Sequence, residues 1–393
     1  MRSFALTPTN PGVTRPVIPS LITGLLTVAV GLVCCVLLSS NLLAALIGVL
    51  VGAVVAVVLN RMMSGPVIPG VALGALILVP FAIPTLMSVE NATVAITLAI
   101  VAMSQYFITG LAGQMSLGQG ALAAIGAYAF GVAFNNGMPW FFAIIIGGVA
   151  SMIIGMIVGL VALRLQELYL AMVSLALVVA LPPLLKLDGI STFTGGANGL
   201  ILDAPFILGS DFFGSSTMQY VVVILFLVLI GLALSSIAGS RHGLALRALE
   251  FSEVSARASG VPLFGYRISS FVLAAAVAGI GGGLYAMVLG ITAPDSFNLE
   301  FSLHFLMMIV LGGMRRLSGA ILGGVLVWWL EINLDGFSIP LGSSSFDLLP
   351  GAVFGLAVVI VVLFFSEGIA GGLARLWSRL HRSISKPAPK VEA

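Results

Sequence analysis

The sequence predicts an all-α polytopic integral membrane protein of about 10–12 membrane helices or half-helices, with its N-terminus in the cytoplasm. Three observations predict it. Of 393 residues, 60% are hydrophobic and only 8% are charged, with a mean hydropathy of +1.21; soluble domains carry about 25% charged residues. Apolar runs long enough to cross a bilayer, about 20 residues each, recur along the chain. The sixteen Lys and Arg residues fall almost entirely into the connections of one side. This composition excludes disordered, collagenous, coiled-coil and disulfide-scaffold classes. A net charge of +2 leaves no nucleic-acid footprint.

Taken in order, the runs read as spans at 20–39, 42–60, 67–88, 92–111, 121–134, 140–163, 168–187, 219–239, 267–290, 303–314, 319–334 and 350–366. The first is too long for a cleavable signal, and a second follows almost directly. Cys34 and Cys35 lie in it side by side and act as small hydrophobes. Pro80 and Pro84 kink the third run, and Pro182–Pro183 break the seventh near its end. The runs 121–134, 303–314 and 319–334 are short for a full crossing. They are tilted, longer than they read, or broken elements whose backbone is covered by protein or a cavity. The chain thus divides into a cytoplasmic arm (1–19), N-terminal membrane helices (20–88), a core (89–370) and a basic cytoplasmic tail (371–393). The tail reads as a solvated flank near anionic lipid.

Placing the N-terminus inside puts Arg2, Arg15, Arg61, Arg164, Arg241, Arg247, Arg257, Arg267, Arg315, Arg316, Arg375, Arg379, Arg382, Lys386 and Lys390 on one side. Only Lys186 falls on the other, which instead collects Glu90, Asp188, Asp203, Asp211, Asp295, Glu300, Asp335 and Asp347. Such asymmetry is the positive-inside signal. Gly accounts for 47 residues and recurs at four-residue spacing: Gly48/Gly52, Gly70/Gly74, Gly155/Gly159, Gly279/Gly283, Gly319/Gly323 and Gly351/Gly355. Together these pairs predict close helix crossings in a compact bundle.

The chemistry of an enzyme has no support. A phosphate-binding loop needs a lysine after its glycines, and Lys186, Lys386 and Lys390 have no such context. His242, His304 and His381 match no metal-ligand spacing. Ion-driven carriers hold ionisable groups inside their spans; here Glu331 lies near an outer end and His304 at the start of a run. A bundle without these parts reads as a transport pore energised by another subunit. A self-sufficient carrier or channel is the alternative, and a membrane-embedded enzyme a more distant one.

The longest inner connection is 240–266. Its stretch from Leu244 to Ser259 has helix-forming composition, Glu253 stands four residues before Arg257, and Gly260 followed by Pro262 is a stop signal. A single short charged helix is expected. The stretch Leu246-Arg-Ala-Leu-Glu-Phe-Ser-Glu253-Val-Ser-Ala256-Arg-Ala-Ser-Gly260 resembles the coupling loop of ABC importer permeases, closest to the branched-chain amino-acid permease subunit of the LivM type. Three further stretches resemble that family in order. They are Gly110-Leu-Ala-Gly113-Gln114-Met-Ser116-Leu-Gly118-Gln119-Gly120 with Gly126-Ala-Tyr128; Leu168-Tyr-Leu-Ala171 with Thr194-Gly195-Gly196-Ala-Asn198-Gly199; and Pro294-Asp295-Ser-Phe297 with Leu311-Gly-Gly313. The loop departs from the family's Glu-Ala-Ala pattern, reading Glu253-Val-Ser-Ala256. Leu311-x-Gly-x-x-x-Leu317 also echoes Leu111-x-Gly-x-x-x-Leu117, through an internal repeat or by chance.

The resemblance implies an ABC importer permease bundle in a bacterial cytoplasmic membrane, carrying branched-chain amino acids or another small solute such as urea or an amide. It implies work beside two ATP-binding subunits, a second homologous permease and an extracytoplasmic solute-binding protein. This chain would bind no cofactor, and ATP with magnesium would be used by the partner. In loop 241–266, Arg247, Glu250, Glu253, Ala256, Arg257 and Gly260 would meet the ATPase. Gly113, Gln114, Ser116, Gln119 and Tyr128 either form a tight inner turn or line the translocation path. Thr194, Gly195, Gly196 and Asn198 read as turn chemistry or a binding-protein contact, and Asp295 as a docking or gating acid.

Overall fold

A computed structural model describes residues 87–162, 167–202 and 216–334, the strand segments 338–341 and 344–347, and the isolated positions Gly355, Val359 and Gly368. The arm, the runs 20–39, 42–60, 67–88 and 350–366 (apart from the residues just named), the tail, Cys34, Cys35, Pro80 and Pro84 lie outside the described residues, as do the glycine pairs of those runs.

Every apolar run read within the described residues is a helix. Helix α1 (Val89–Gln105) starts at Ser88, whose side chain accepts from the Asn91 N–H, and continues as a π-helix over Tyr106–Leu111. Then follow α2 (Gln119–Asn135), α3 (Trp140–Ala162), α4 (Glu167–Leu185), α5 (Asp188–Thr194) and α6 (Ser216–Gly239). Two short helices, α7 (Arg241–Phe251) and α8 (Glu253–Ala258), precede α9 (Leu263–Leu289), α10 (Leu299–Gly312) and α11 (Leu317–Leu334). Strand β1 (Leu200–Ile201) pairs antiparallel with β2 (Ile291–Thr292), and β3 (Ser338–Leu341) with β4 (Ser344–Asp347). Four described helices are long and apolar enough to cross a membrane, or six if each bent pair is one span.

The chain segregates its helices by burial. The window of α1 through Leu111 is wholly enclosed by protein, which suits a helix apolar on every side. α3 instead exposes Phe141, Ile145, Val149, Ile153 and Ile157 in one i, i+4 row, the row a lipid-facing helix presents. α9 packs on α3, α2 and α1, and its glycines explain how. A Cβ on Gly279 would collide with Ser151, one on Gly282 with the Ala123 carbonyl, and one on Gly281 would lie 2.7 Å from Val101. Gly155 meets Ala275, and Gly319 and Gly323 meet the backbones of Gly312 and Met308. The three glycine pairs within the described residues are therefore helix crossings.

Three expectations are refined. The short runs 303–314 and 319–334 are one broken element: α10 and α11 meet at 120° across Gly313. Pro182 and Pro183 are accommodated inside α4, and the 85° break comes after Leu185, where α5 begins. The inner connection forms two helices rather than one. Ser252 is extended (φ −163°, ψ 112°) and its side chain accepts from the Ser255 N–H, so it ends α7 and caps α8.

Candidate functional site

Two groups of the sequence-predicted residues gather at opposite ends of α9, whose 27 residues separate them by about 40 Å.

At one end lie α7 and α8. Leu246, Leu249 and Ala256 are buried against the bundle, while Phe251 is 92% and Val254 79% exposed. Arg247 donates from Nη2 to the Ala238 carbonyl at 3.2 Å, placing a cation on the C-terminus of α6. Glu250 accepts from Arg315 at 3.2 Å and packs on Gly113, where a Cβ would lie 3.0 Å from Glu250 Cγ. Glu253 pairs with Arg267 of α9, while Arg257 stands 4.0 Å away. The i, i+4 pair read from sequence is thus the weaker of the two, since Arg267 of α9 approaches the Glu253 carboxylate more closely. Gly260 turns the chain at φ +79°, with Val261 N–H donating to the Ala256 carbonyl.

Gly113 is the second residue of an irregular segment, 112–118, between the π-helix and α2. The π-helix comes close to the α10–α11 break: a Cβ on Gly110 would collide with the Met314 carbonyl. Gly113 and Gly313, the matching positions of the echoed motif, both take positive φ, 67° and 117°. Helices α1, α4 and α9 meet most of the segment's polar groups, while Gln114 Oε1 is buried without a hydrogen-bond partner among the described residues. Gln105 donates to the Ser116 carbonyl (2.8 Å) and to Thr109 Oγ1 (3.0 Å), and Thr109 donates to the Gln114 carbonyl. Gln114 donates to Ser270 Oγ at 3.1 Å, and Leu117 N–H to Ser174 Oγ at 2.9 Å. Ser104 donates to Gln119 Oε1 at 3.0 Å. Gln114, Ser116 and Gln119 are 2% exposed or less. Gln105, Thr109, Ser174 and Ser270 were not singled out from the sequence. The available signal was their type, because an isolated polar side chain in an apolar span needs a partner.

At the other end, Lys186 at the close of α4 donates to Asp295 at 2.6 Å, so the lone lysine of the acidic side is neutralised. Thr194 caps its own region by donating to the Leu185 carbonyl at 2.7 Å. Gly195, Gly196 and Gly199 all take positive φ, and a side chain on Gly195 would collide with the Gly199 carbonyl. Asn198 is exposed between them. The β1–β2 ladder joins this turn to Thr292. Tyr128 donates to the Thr292 carbonyl at 3.0 Å, which places it with Asp295 rather than with Gln114.

The model of the family described as the branched-chain amino acid transport system permease component matches residues 87–364. The chain is 30% identical over 264 residues to the high-affinity branched-chain amino acid transport system permease protein LivM of Salmonella typhimurium, covering 61% of this chain and 62% of that protein. It is 29% identical over 280 residues to LivM of Escherichia coli, covering 64% and 65%. It is 28% identical over 306 residues to the permease protein BraD of Pseudomonas aeruginosa, covering 72% and 94%. The matches to the two LivM proteins thus span just under two thirds of their length. No solved structure matches the chain. An all-helical membrane bundle with its polar segment braced at Gly113, matched over residues 87–364, belongs to the branched-chain amino acid transport system permease family.

Proposed function

We propose that the chain is one membrane subunit of an ATP-driven importer of branched-chain amino acids, in the cytoplasmic membrane of a bacterium. Its relatives are named as permeases of such transport systems. The end bearing α7 and α8 faces the cytoplasm, as does the N-terminus. This reading is supported by the gathering of Arg241, Arg247, Arg257, Arg267, Arg315 and Arg316 at that end. Two ATP-binding subunits, which use ATP and magnesium, meet α7 and α8. A second homologous permease completes the pathway, and an extracytoplasmic solute-binding protein delivers cargo at the end holding Asn198 and Asp295.

One observation carries the coupling. Glu250 sits on a helix with solvent-exposed apolar neighbours and packs on Gly113, the first residue of the irregular segment to take a left-handed conformation. Movement of α7 must therefore displace either Glu250 or the segment's backbone. Phe251 and Val254 offer the apolar contact through which a partner would move it. Two measurements test the placement. A tagged chain should co-purify with ATP-binding subunits, and Phe251→Asp should release them without reducing the membrane content of the chain. With Cys34 and Cys35 replaced by Ser, Val254→Cys should react with an impermeant thiol reagent in inverted vesicles only. Labelling from outside intact cells would overturn the orientation.

A further inference from the structure

The start of α2 is a helix N-terminus sealed inside the protein. Its N-cap, Gly118, has no side-chain cap, and its first turn carries no acidic residue. Gln119, Gly120, Ala121 and Leu122 are all buried. Among the described residues, no acceptor meets the N–H groups of Gln119, Gly120 and Ala121. Buried helix ends are normally capped, because an unmet buried donor keeps its full desolvation penalty. A second observation points to the same place. Ser302 of α10 lies against this turn, so closely that a Cβ on Gly120 would collide with its Oγ. That hydroxyl is buried, at 2% exposure, and has no hydrogen-bond partner; Gln119 Nε2, from the same first turn of α2, has none either.

We propose that the first turn of α2, with Ser302 Oγ and Gln119 Nε2, is the membrane-embedded site for the carboxylate of the cargo. The inference rests on the importer reading above. Unmet N–H groups and the positive end of the helix dipole together favour an anion, and interrupted helices serve this purpose at the midplane of transporters. Donors are what a carboxylate needs, and a hydroxyl and an amide N–H₂ add three. No charged residue stands in the first turn of α2, so the cargo must bring its own compensating charge. A zwitterion does so, and an amino acid therefore fits better than a simple carboxylic acid. Gly120 is required because its missing side chain lets Ser302 reach the turn. Gly113, on which Glu250 of α7 packs, lies at the far end of the same irregular segment, so a moving coupling helix would open or close this turn.

The test uses the complete importer in vesicles with its binding protein, ATP and radiolabelled L-leucine. Ser302→Ala should raise the KM for leucine about tenfold or more, and Gly120→Ala should do the same. Leucine affinity of the isolated binding protein and the stimulated ATPase rate should stay within twofold of the parent. Ser302→Asp separates a binding role from a structural one. A carboxylate fixed at this helix end takes the place of the cargo's carboxylate, so the complex should assemble and melt no lower than the parent while uptake is lost. Parent-like uptake by both Ser302→Ala and Ser302→Asp would overturn the site and leave the importer reading intact. Failure of the parent complex to transport leucine would overturn that reading and the site with it.

Discussion

Glu250 and Gly113 are in van der Waals contact, 137 positions apart in sequence (250 − 113). One belongs to an exposed helix and the other to the irregular segment, so in the proposed importer the contact would join the part a partner grips to the part that moves. The positive φ of Gly113 makes the contact possible, because any side chain there would strain the backbone and push against Glu250.

Gly113→Ala should therefore be costly in two ways. The left-handed conformation adds about 1–2 kcal/mol for a residue with a Cβ, and the methyl group must displace Glu250. Uptake per assembled complex is expected to fall about tenfold while the ATP-binding subunits remain attached. Uptake rate normalised to complex recovered from the membrane checks this.

Glu253→Arg should abolish uptake while leaving membrane insertion intact. The substitution sets three guanidinium groups together, at 253, 257 and 267, where Glu253 now pairs with Arg267. The exchange Glu253→Arg with Arg267→Glu should recover part of the uptake. Normal uptake by the single variant would remove Glu253 from the coupling surface.

Lys186 and Asp295 form an exposed pair, and such pairs contribute about 0.2–1 kcal/mol. Asp295→Lys should leave the melting temperature nearly unchanged and lower uptake at limiting binding protein. Raising the binding-protein concentration should restore it if Asp295 serves docking. A defect that persists at saturation assigns Asp295 to gating instead.

His242 lies against Tyr266, with ring centroids 4.9 Å apart, and its Nε2 is 3.1 Å from Ser269 Oγ. Burial lowers its pKa below the ordinary 6.5, so folding favours the neutral ring. The unfolded chain then takes up this proton at a higher pH than the folded one. Stability from this group is present above about pH 6.5 and declines as the pH falls through that value, levelling off below the folded pKa. Thermal unfolding of the complex between pH about 7.5 and about 5.5 should show this decline, and His242→Gln should lessen it.

Much of this architecture was legible because lipid imposes simple rules. Apolar runs gave the helices, and the spacing of Gly279/Gly283 and Gly319/Gly323 gave the crossings, since only small residues admit a neighbouring backbone. The charge asymmetry matched the grouping of arginines at the α7–α8 end. What could not be read was which helices are neighbours. Gln114 finds Ser270 across 156 positions, and Leu117 finds Ser174 across 57; no periodicity carries that information. The break at Ser252 had a signal, a serine directly before an acidic residue, but helix-forming residues on both sides outweighed it. The β1–β2 ladder has two residues per strand, too few to form a pattern. The uncapped start of α2 is a tertiary fact, because a helix end becomes a site only when other helices bury it.

We propose that this chain is a gate moved by nucleotide-driven partners through α7 and α8. Leucine uptake into vesicles reconstituted with and without the ATP-binding subunits tests it most directly. Uptake should require the subunits and ATP together, and should fall to background with a nonhydrolysable analogue. ATP-independent uptake by vesicles containing this chain and its companion permease alone would contradict it.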